Sequence, residues 1–262
     1  MMMFASMNKP IRVWAGQRLW IIGASSGIGA ALAQRAMAAG AHVALSARRI
    51  DHLHRVAGTN AAALVVPLDV LDAQAWTVAY EQIRTAFGGV DLLIFCAAEY
   101  RPERSWEVSM AAAESTLRVN LGSVYGALET VLPDMLARGR GGIALVASVA
   151  GYMGLPNASS YGPSKAALIN LAEILYGDLH PKGLNVYLIN PGFVKTDLTG
   201  KNSFAMPGLQ TPQQASIAIM RGMRAGRFEI HFPWRFTFFM KLLQHMPYRW
   251  RFAMLFHFLK IS

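Results

Sequence analysis

Two side chains suited to acid–base chemistry stand four residues apart in the second half of the chain. Tyr161 and Lys165 open a stretch of helical periodicity, and their spacing places the phenol and the ammonium on one helix face. A free tyrosine has a pKa of about 10, and a nearby cation lowers that pKa because it favours the phenolate. The pair therefore predicts a general acid/base. Ser148, which ends the apolar run Gly142–Ala147, adds a polar group upstream and makes a chance match less plausible.

A glycine-rich turn near the start of the chain is suited to a phosphate group. It follows the first apolar run, a helical pattern follows it at once, and it reads Gly23-Ala24-Ser25-Ser26-Gly27-Ile28-Gly29. Glycines let the backbone approach a pyrophosphate closely, and a helix N-terminus offers free N–H groups and a positive dipole end. A glycine cluster alone is weak evidence, but its position after the first strand favours a dinucleotide site.

The second apolar run ends where a dinucleotide-binding fold selects its cofactor. About twenty residues after the last glycine, an acidic residue would bind the ribose of NAD. That place holds Ala47, followed by Arg48 and Arg49. Guanidinium groups suit a 2′-phosphate by charge and by their fork of donors, so we predict NADP(H). Asp69 and Val70, after the third run, should lie where the adenine passes.

The elements that must position these residues alternate along the chain. Apolar runs of strand length lie at Leu19–Ile22, His42–Ser46, Ala63–Leu68, Asp91–Ala97, Gly142–Ala147, Asn185–Ile189 and Arg227–Phe232. Helical periodicity lies between them, at Ile28–Ala39, Ala73–Phe87, Ala111–Leu136, Ser159–Leu179 and Pro212–Ala225. This alternation predicts an α/β fold with a doubly wound parallel sheet of the Rossmann type. Ligands bind beyond the carboxyl ends of such strands, and the residues above follow strand ends.

Taken together and in order, these motifs resemble the short-chain dehydrogenase/reductase family over roughly residues 17–200. The resemblance is carried by the glycine turn and by Leu68-Asp69-Val70, Val119-Asn120, Ser148, Tyr161-Gly162-Pro163-Ser164-Lys165, and Asn190-Pro191-Gly192 with Thr196. Two positions depart from the family pattern. Ile22 stands where threonine is usual, and Phe95-Cys96-Ala97-Ala98 replaces Asn-Asn-Ala-Gly. Phe95 cannot make the hydrogen bonds of that asparagine, so we expect different local packing there.

The resemblance implies a role for each matched residue. Tyr161 resembles the catalytic acid/base, Lys165 the residue that holds the nicotinamide ribose, and Ser148 the donor that polarises the substrate carbonyl. Asn120 resembles the helix residue that anchors a water in the proton relay. The remaining cofactor contacts that the resemblance implies are Ala97 after the fourth strand and the nicotinamide loop with Pro191, Gly192, Val194 and Thr196. Arg48 falls on the family position linked with NADP(H).

Composition narrows the class of protein. Of 262 residues, 53% are hydrophobic and 15% charged, which predicts one folded domain over residues 17–233, after a tail of residues 1–16. The single cysteine, Cys96, allows no internal disulfide, so the chain could fold in a reducing cytosol. The histidines lack metal-ligand spacing, and we expect no metal. No apolar run has the length of a membrane-spanning helix, and the N-terminal stretch lacks the core of a secretory signal.

Residues 234–262 form an aromatic, basic extension that Pro247 should divide into two helices. Most of the net charge of +10 lies after residue 197, where nine Lys/Arg face one acid, Glu229. Three interpretations stay open: packing on the chain's own core or a second subunit, contact with an anionic membrane surface, and a hydrophobic roof over a lipid-like substrate. Nucleic-acid binding is disfavoured because the arginines alternate with bulky apolar residues. We expect a homo-oligomer in the cytoplasm, with the inner face of a membrane as a candidate surface.

The predicted function is an NADP(H)-dependent interconversion of a carbonyl and an alcohol, on a hydrophobic small molecule. The alternative is a catalytically silent nucleotide-binding or membrane-scaffold protein on the same fold. Intact Asn120, Ser148, Tyr161 and Lys165 argue against it, because a sensor needs none of them. An epimerase or dehydratase on this fold is a third option, which the short region after the sheet disfavours.

Overall fold

Seven parallel strands form a single sheet in the computed structural model, which describes residues 6–202, 204 and 206–259. The strands are β1 (Arg18–Ile22), β2 (His42–Ser46), β3 (Ala63–Val65), β4 (Leu92–Phe95), β5 (Gly141–Val146), β6 (Leu184–Pro191) and β7 (Glu229–Phe232). Their order is β3-β2-β1-β4-β5-β6-β7, and every neighbouring pair is parallel. The order reverses between β1 and β4, which makes this the doubly wound Rossmann-type sheet that the sequence predicts.

Helices cover both faces of the sheet. They are α1 (Gly27–Ala38), α2 (Ile50–Ala57), α3 (Ala73–Phe87), α4 (Met110–Leu117), α5 (Ser123–Arg138), α6 (Tyr161–Leu179), α7 (Pro212–Arg224), α8 (Trp234–Gln244) and α9 (Tyr248–Leu259). Adjacent strand residues alternate between the faces, so Trp20 packs with α3, α5 and α6 whereas Ile21 packs with α1 and α7. Buried Trp20 also donates through Nε1 to the Ser46 hydroxyl at 2.8 Å, which joins β1 to β2.

Three details differ from the sequence prediction. The single helix expected over Ala111–Leu136 is divided by a π-helical turn, Arg118–Gly122, which carries Asn120. The strand expected over Ala63–Leu68 pairs only as far as Val65. Helix α2 was not predicted, although Ile50, Leu53 and Ala57 recur at helical spacing; its eight residues are fewer than those of any helical stretch that the sequence predicted.

In the N-terminal segment, residues 8–11 contact β6 and the end of α7, and Gly16 donates its N–H to the carbonyl of Gly40 before β2. The buried Asn8 side chain donates to the carbonyl of Val186 at 2.8 Å and accepts from its N–H at 3.0 Å, as a neighbouring strand would. Its Nδ2 also donates to the carbonyl of Arg227 at 3.1 Å. The segment predicted as a tail is thus held by the domain wherever the structure describes it.

Helices α8 and α9 also pack on the domain, and the chain passes between them at Pro247, as predicted. Met240, Leu243 and Leu255 form a separate apolar cluster with Val149 and Tyr152. Lys241 forms an ion pair with Glu229 of β7, and Glu229 accepts a 2.6 Å hydrogen bond from the Tyr152 hydroxyl. In the described part of the chain, none of the helices has the length and apolar character needed to cross a bilayer.

Candidate active site

A cleft of roughly 1120 Å³ opens at the carboxyl ends of the strands. All of the residues that the sequence assigned to catalysis or cofactor binding line it, with the exception of Asn120. Residues from the glycine turn, from the loops after β2, β4, β5 and β6, and from the start of α6 therefore face one space. The fold brings them together because parallel strands present their carboxyl ends at one edge.

The glycine turn is held too closely for side chains. Gly23 has a φ of +85°, and a Cβ there would lie 2.6 Å from the backbone nitrogen of Ala97. Gly27 has a φ of +58°, and a Cβ would lie 2.9 Å from the methyl group of Thr196. Helix α1 begins at Gly27, so its N-terminal N–H groups face the cleft beside this narrow turn. The arrangement fits a pyrophosphate group, since the glycines allow a close approach to the backbone and the helix N-terminus offers free N–H groups.

The two arginines after β2 take different positions. Arg49 donates through Nη2 to the hydroxyls of Ser25 at 3.2 Å and Ser26 at 2.9 Å. Its Nη1 lies 3.8 Å from the exposed carboxylate of Asp197. Arg48 lines the cleft and is exposed. The structure thus places a guanidinium directly beside the glycine turn, and that group is Arg49, whereas the family resemblance singled out Arg48.

Asp69 and Val70 line the cleft beyond β3. The Asp69 carboxylate accepts the N–H of Leu71 at 3.1 Å and so closes the turn that leads to α3. The helix itself is capped by Asp72, which accepts from the N–H groups of Gln74 and Ala75. Asp69 is therefore free of the capping role that could otherwise explain an acid at this strand end.

The tyrosine, lysine and serine meet where α6 begins beside the end of β5. Tyr161 is the first residue of α6, and the Lys165 Nζ lies 5.5 Å from the centre of its ring. The buried Lys165 ammonium donates to the carbonyl of Val146 at 2.9 Å. Ser148, two residues further along, accepts the N–H of Ala150 at 3.1 Å. These contacts hold the three side chains at one point of the cleft.

Burial dominates the electrostatics of this pair. It raises the pKa of Tyr161 to about 12, and a hydrogen bond with Ser148 opposes that rise. Burial likewise lowers the pKa of Lys165 to about 8. The expectation that the cation lowers the tyrosine pKa is therefore wrong, because desolvation disfavours charge on both groups and the opposing contribution comes from Ser148. The Tyr161 phenol is protonated at neutral pH.

Asn120 lies behind the cleft and does not line it. Its side chain is fully buried in the π-helical turn, with Oδ1 accepting the N–H of Glu99 at 2.6 Å. Its Nδ2 donates to the carbonyl of Glu99 and to the Ser164 hydroxyl, both at 2.9 Å. Asn120 therefore connects the loop after β4 to α6, and the water-anchoring role stays a prediction.

Two polar residues that sequence reasoning missed support Tyr161. The ring of Tyr100 meets that of Tyr161 edge-on, 4.9 Å between centres, and its hydroxyl donates to Asn202 at 2.8 Å. Glu103 is buried and accepts hydrogen bonds from both the N–H and the hydroxyl of Ser160, the residue before α6. Tyr100 follows a strand end, which is a usable signal. Glu103 lies 57 residues from its partner and gives none.

The C-terminal extension forms one wall of the cleft. Four apolar side chains of α8 contribute to this wall, together with one of α9: Phe236, Phe239, Met240, Leu243 and Leu255. Phe236 also packs beside the nicotinamide loop that the resemblance implies, because a Cβ on Gly192 would lie 2.9 Å from its ring. This position agrees with the interpretation of the extension as a hydrophobic roof.

Phe95, which stands where the family pattern has asparagine, packs in the hydrophobic core. Phe95 is buried at the end of β4, beside Ile22 of β1 and Leu145 of β5 in the strand register. The next residue, Cys96, lines the cleft, and burial raises the pKa of its thiol to about 12. Apolar packing thus replaces the strand-tying hydrogen bonds at this position.

Over the described residues, no group of three or more His, Cys, Asp and Glu could hold a metal ion.

Comparison with known proteins points to one family. A model of the short chain dehydrogenases matches residues 17–206. An uncharacterized oxidoreductase from Myxococcus xanthus is 32% identical over 231 residues, which are 87% of this chain and 91% of that protein. A 2-dehydro-3-deoxy-L-rhamnonate dehydrogenase (NAD(+)) from a Sphingomonas strain is 33% identical, over 79% of this chain and 80% of that protein. A solved short-chain dehydrogenase from Streptomyces avermitilis has the same fold, with a TM-score of 0.77 at 24% identity over 86% of this chain and 91% of that one.

Proposed function

The chain belongs to the short-chain dehydrogenase family of nicotinamide-dependent oxidoreductases, and we propose that it interconverts a carbonyl and an alcohol on a hydrophobic substrate with NADP(H). One observation carries the proposal. Tyr161, Lys165 and Ser148 meet at one point of a cleft that has the glycine turn at one side and the apolar wall of α8 and α9 at another. A polar reacting centre beside an apolar wall suits a carbonyl on a hydrophobic molecule.

The protein's part in the reaction is to hold the carbonyl and to move one proton. Ser148 donates a hydrogen bond to the carbonyl oxygen, and Tyr161 donates the proton that this oxygen accepts. When bound, NADPH would supply the hydride that the carbonyl carbon accepts, and the products would be the alcohol and NADP⁺. Lys165 would hold the nicotinamide ribose when the cofactor is bound.

The choice of NADP(H) rests on the loop after β2. Ala47 leaves no acid to bind a free ribose hydroxyl, and Arg48 and Arg49 provide two guanidinium groups at the edge of the cleft. Arg49 already donates to Ser25 and Ser26, which directs positive charge toward the glycine turn. Both features favour a cofactor with a 2′-phosphate.

The protonation of Tyr161 favours reduction at neutral pH. With a pKa of about 12, the phenol carries the proton that a carbonyl oxygen must receive. Oxidation of an alcohol would need the phenolate, which is scarce at that pH. This protonation state makes carbonyl reduction the direction to assay first.

The experiment that tests this proposal is a screen of ketones, aldehydes and secondary alcohols with NADPH or NADP⁺, monitored by the absorbance of the reduced nicotinamide. Tyr161→Phe should lower kcat by about 10²–10⁴-fold and leave NADPH affinity nearly unchanged, because the ring still packs. Tyr125→Phe is the matched control, since Tyr125 is exposed on α5 outside the cleft. Near-normal turnover in Tyr161→Phe would refute its role, and NADPH binding without any turnover would favour the silent nucleotide-binding protein.

A further inference from the structure

Helices α8 and α9 each expose a stripe of apolar side chains. We call the two stripes together the docking face: Trp234, Phe238 and Leu242 on α8, and Tyr248, Phe252 and Phe256 on α9. Both stripes follow i, i+4, i+8 spacing, so each lies along one side of its helix. Each of these side chains is 47–69% exposed. Helix α8 is therefore apolar both toward the cleft and toward the solvent.

The docking face lies in a segment without acidic residues. After Glu229 the sequence contains no Asp or Glu, while Arg235 and Arg249 are exposed on the two helices. Two other cations serve the fold, because Lys241 pairs with Glu229 and the Arg251 guanidinium donates to the carbonyls of Leu243 and Met246. Lys260 lies outside the described residues. The charge that remains beside the aromatic stripes is positive only.

We propose that the docking face inserts into the interface of an anionic lipid bilayer, and that the cleft receives from it a carbonyl or alcohol carried on a lipid chain. Exposed aromatic rings suit the boundary between acyl chains and headgroups, and arginines suit anionic headgroups. The part that concerns substrate rests on the proposed function and names its substrate class. The reaction is unchanged, with one hydride accepted by the carbonyl carbon and the Tyr161 proton by its oxygen.

Helix α8 connects the bilayer to the reacting centre. A helix with its side chains is about 10–12 Å across, so a single helix separates the docking face from the cleft. On its inner side, Phe236 contacts Phe193 at 5.6 Å between ring centres and borders Gly192. A chain that leaves the bilayer along α8 thus meets the apolar wall first and the residues after β6 next.

Charge argues for lipid over a second copy of this chain. A symmetric dimer would place the same face of each copy together. Two such faces would bring Arg235 and Arg249 near their own counterparts without an acid from either segment to pair with them. An anionic surface supplies that missing charge, so it is the better partner for a face of this composition.

Vesicle co-sedimentation of the full chain tests the docking face without any substrate. The probe is phosphatidylglycerol mixed with phosphatidylcholine, and phosphatidylcholine alone serves as the uncharged comparison. The wild-type chain should bind the anionic vesicles and lose binding as salt is raised. The double variant Phe238→Glu/Phe252→Glu should bind at least about tenfold more weakly, about 1.4 kcal/mol. Trp106→Glu, which changes a 79% exposed aromatic residue outside α8 and α9, should bind as the wild type does.

Each contrary result of that measurement has one meaning. Wild-type chain that stays in the supernatant at low salt overturns the proposal, as does a double variant that binds like the wild type. A wild-type dimer that the double variant converts to monomer, without vesicle binding, shows that the face is a subunit contact instead. NADPH affinity, measured on every variant, verifies that the cofactor site is folded.

Delivery of substrate is tested by two ketones, one short and dissolved in water, the other long-chained and held in the same vesicles. The double variant should lose at least about tenfold of kcat/KM on the vesicle-held ketone, about 1.4 kcal/mol, and keep its rate on the dissolved ketone. Equal rates of wild type and variant on the vesicle-held ketone would overturn delivery. Absence of NADPH oxidation with any carbonyl refutes the proposed function instead, while the sedimentation result still decides the docking face.

Discussion

Replacement of Arg48 and Arg49, the two arginines after β2, should weaken the binding of NADPH far more than the binding of NADH. Arg48 and Arg49 both lie at the edge of the cleft, and Arg49 is held by two neutral hydroxyls, those of Ser25 and Ser26. Its contact with Asp197 is 3.8 Å long, with side chains 47% and 78% exposed. An exposed pair of this kind contributes about 0–1 kcal/mol, so it offers little resistance when the guanidinium turns toward a phosphate.

The expected magnitude follows from the bonds that a 2′-phosphate would gain. A hydrogen bond to a charged group contributes about 1.5–3 kcal/mol, which corresponds to roughly 10- to 150-fold in affinity. Because both arginines are exposed to solvent, we expect each of their hydrogen bonds to contribute a free energy near the lower end of this range. We expect Arg48→Ala and Arg49→Ala each to weaken NADPH by about 10–30-fold, and the double variant by about 100-fold or more. NADH, which lacks the phosphate, should lose far less.

The assay is a fluorescence titration of each variant with NADPH and with NADH, at low and at high salt. The NADPH losses should shrink as salt is raised, because exposed charges are screened. Arg84→Ala is the control, since Arg84 is an exposed arginine on α3 that pairs only with Glu81 among the contacts found for it. If NADPH and NADH lose affinity equally, the arginines do not bind the 2′-phosphate and the assignment of NADP(H) fails.

Three further predictions concern the proton, the start of α6 and the docking of α8. Because the pKa of Tyr161 is about 12, kcat/KM for alcohol oxidation should rise roughly tenfold per pH unit from about pH 6 to about pH 7, below the pKa of about 8 of Lys165, and a pH-independent rate there would contradict the pKa of Tyr161. Glu103→Ala should cost about 1–3 kcal/mol of unfolding free energy in urea and lower kcat, because Ser160 loses its buried acceptor, whereas Glu103→Gln keeps an acceptor and should retain both. Lys241→Met should lower the unfolding free energy by about 1–3 kcal/mol at pH 7, because the variant leaves the largely buried Glu229 carboxylate without its cation. Although burial opposes it, the hydrogen bonds that Glu229 accepts from Lys241, Tyr152 and Asn190 hold the pKa of Glu229 below its usual range. The stability lost in Lys241→Met should therefore be full at pH 7 and should shrink as the pH falls through the lowered pKa of Glu229. A stability loss that does not change with pH would exclude the ion pair as its cause.

Local patterns were sufficient to predict the sheet and most of the cleft. Gly23 and Gly27 signal a tight turn by their type alone, and the four-residue spacing of Tyr161 and Lys165 signals a shared helix face. Strand ends then place these groups together, because a parallel sheet presents its carboxyl ends at one edge. Short-range patterns thus located the residues that line the cleft, although they did not predict the pKa of Tyr161.

Contacts between distant residues could not be predicted in this way. Glu103 and Ser160 meet across 57 residues, and neither belongs to a pattern that anticipates a buried carboxylate. In the extension, the sequence shows Lys241 only as one more cation, whereas the fold gives it Glu229 as a partner. The pKa of Tyr161 is raised, where the sequence led us to expect a lowered value, for the same reason: the desolvation that raises it depends on the whole surrounding structure.

The hydrogen bonds of Asn8 to Val186 and Arg227 affect the order of folding during synthesis. Asn8 precedes Val186 by 178 residues and Arg227 by 219, so its partners leave the ribosome long after it does. At a synthesis rate of about 5–20 residues per second, the N-terminal segment waits roughly 10–40 seconds for them. During that interval β1 and β2 can pair, while the side of β6 that receives Asn8 does not yet exist. Closure of this segment should therefore be a late event, detectable as slow protection of the Val186 amide in pulsed hydrogen exchange.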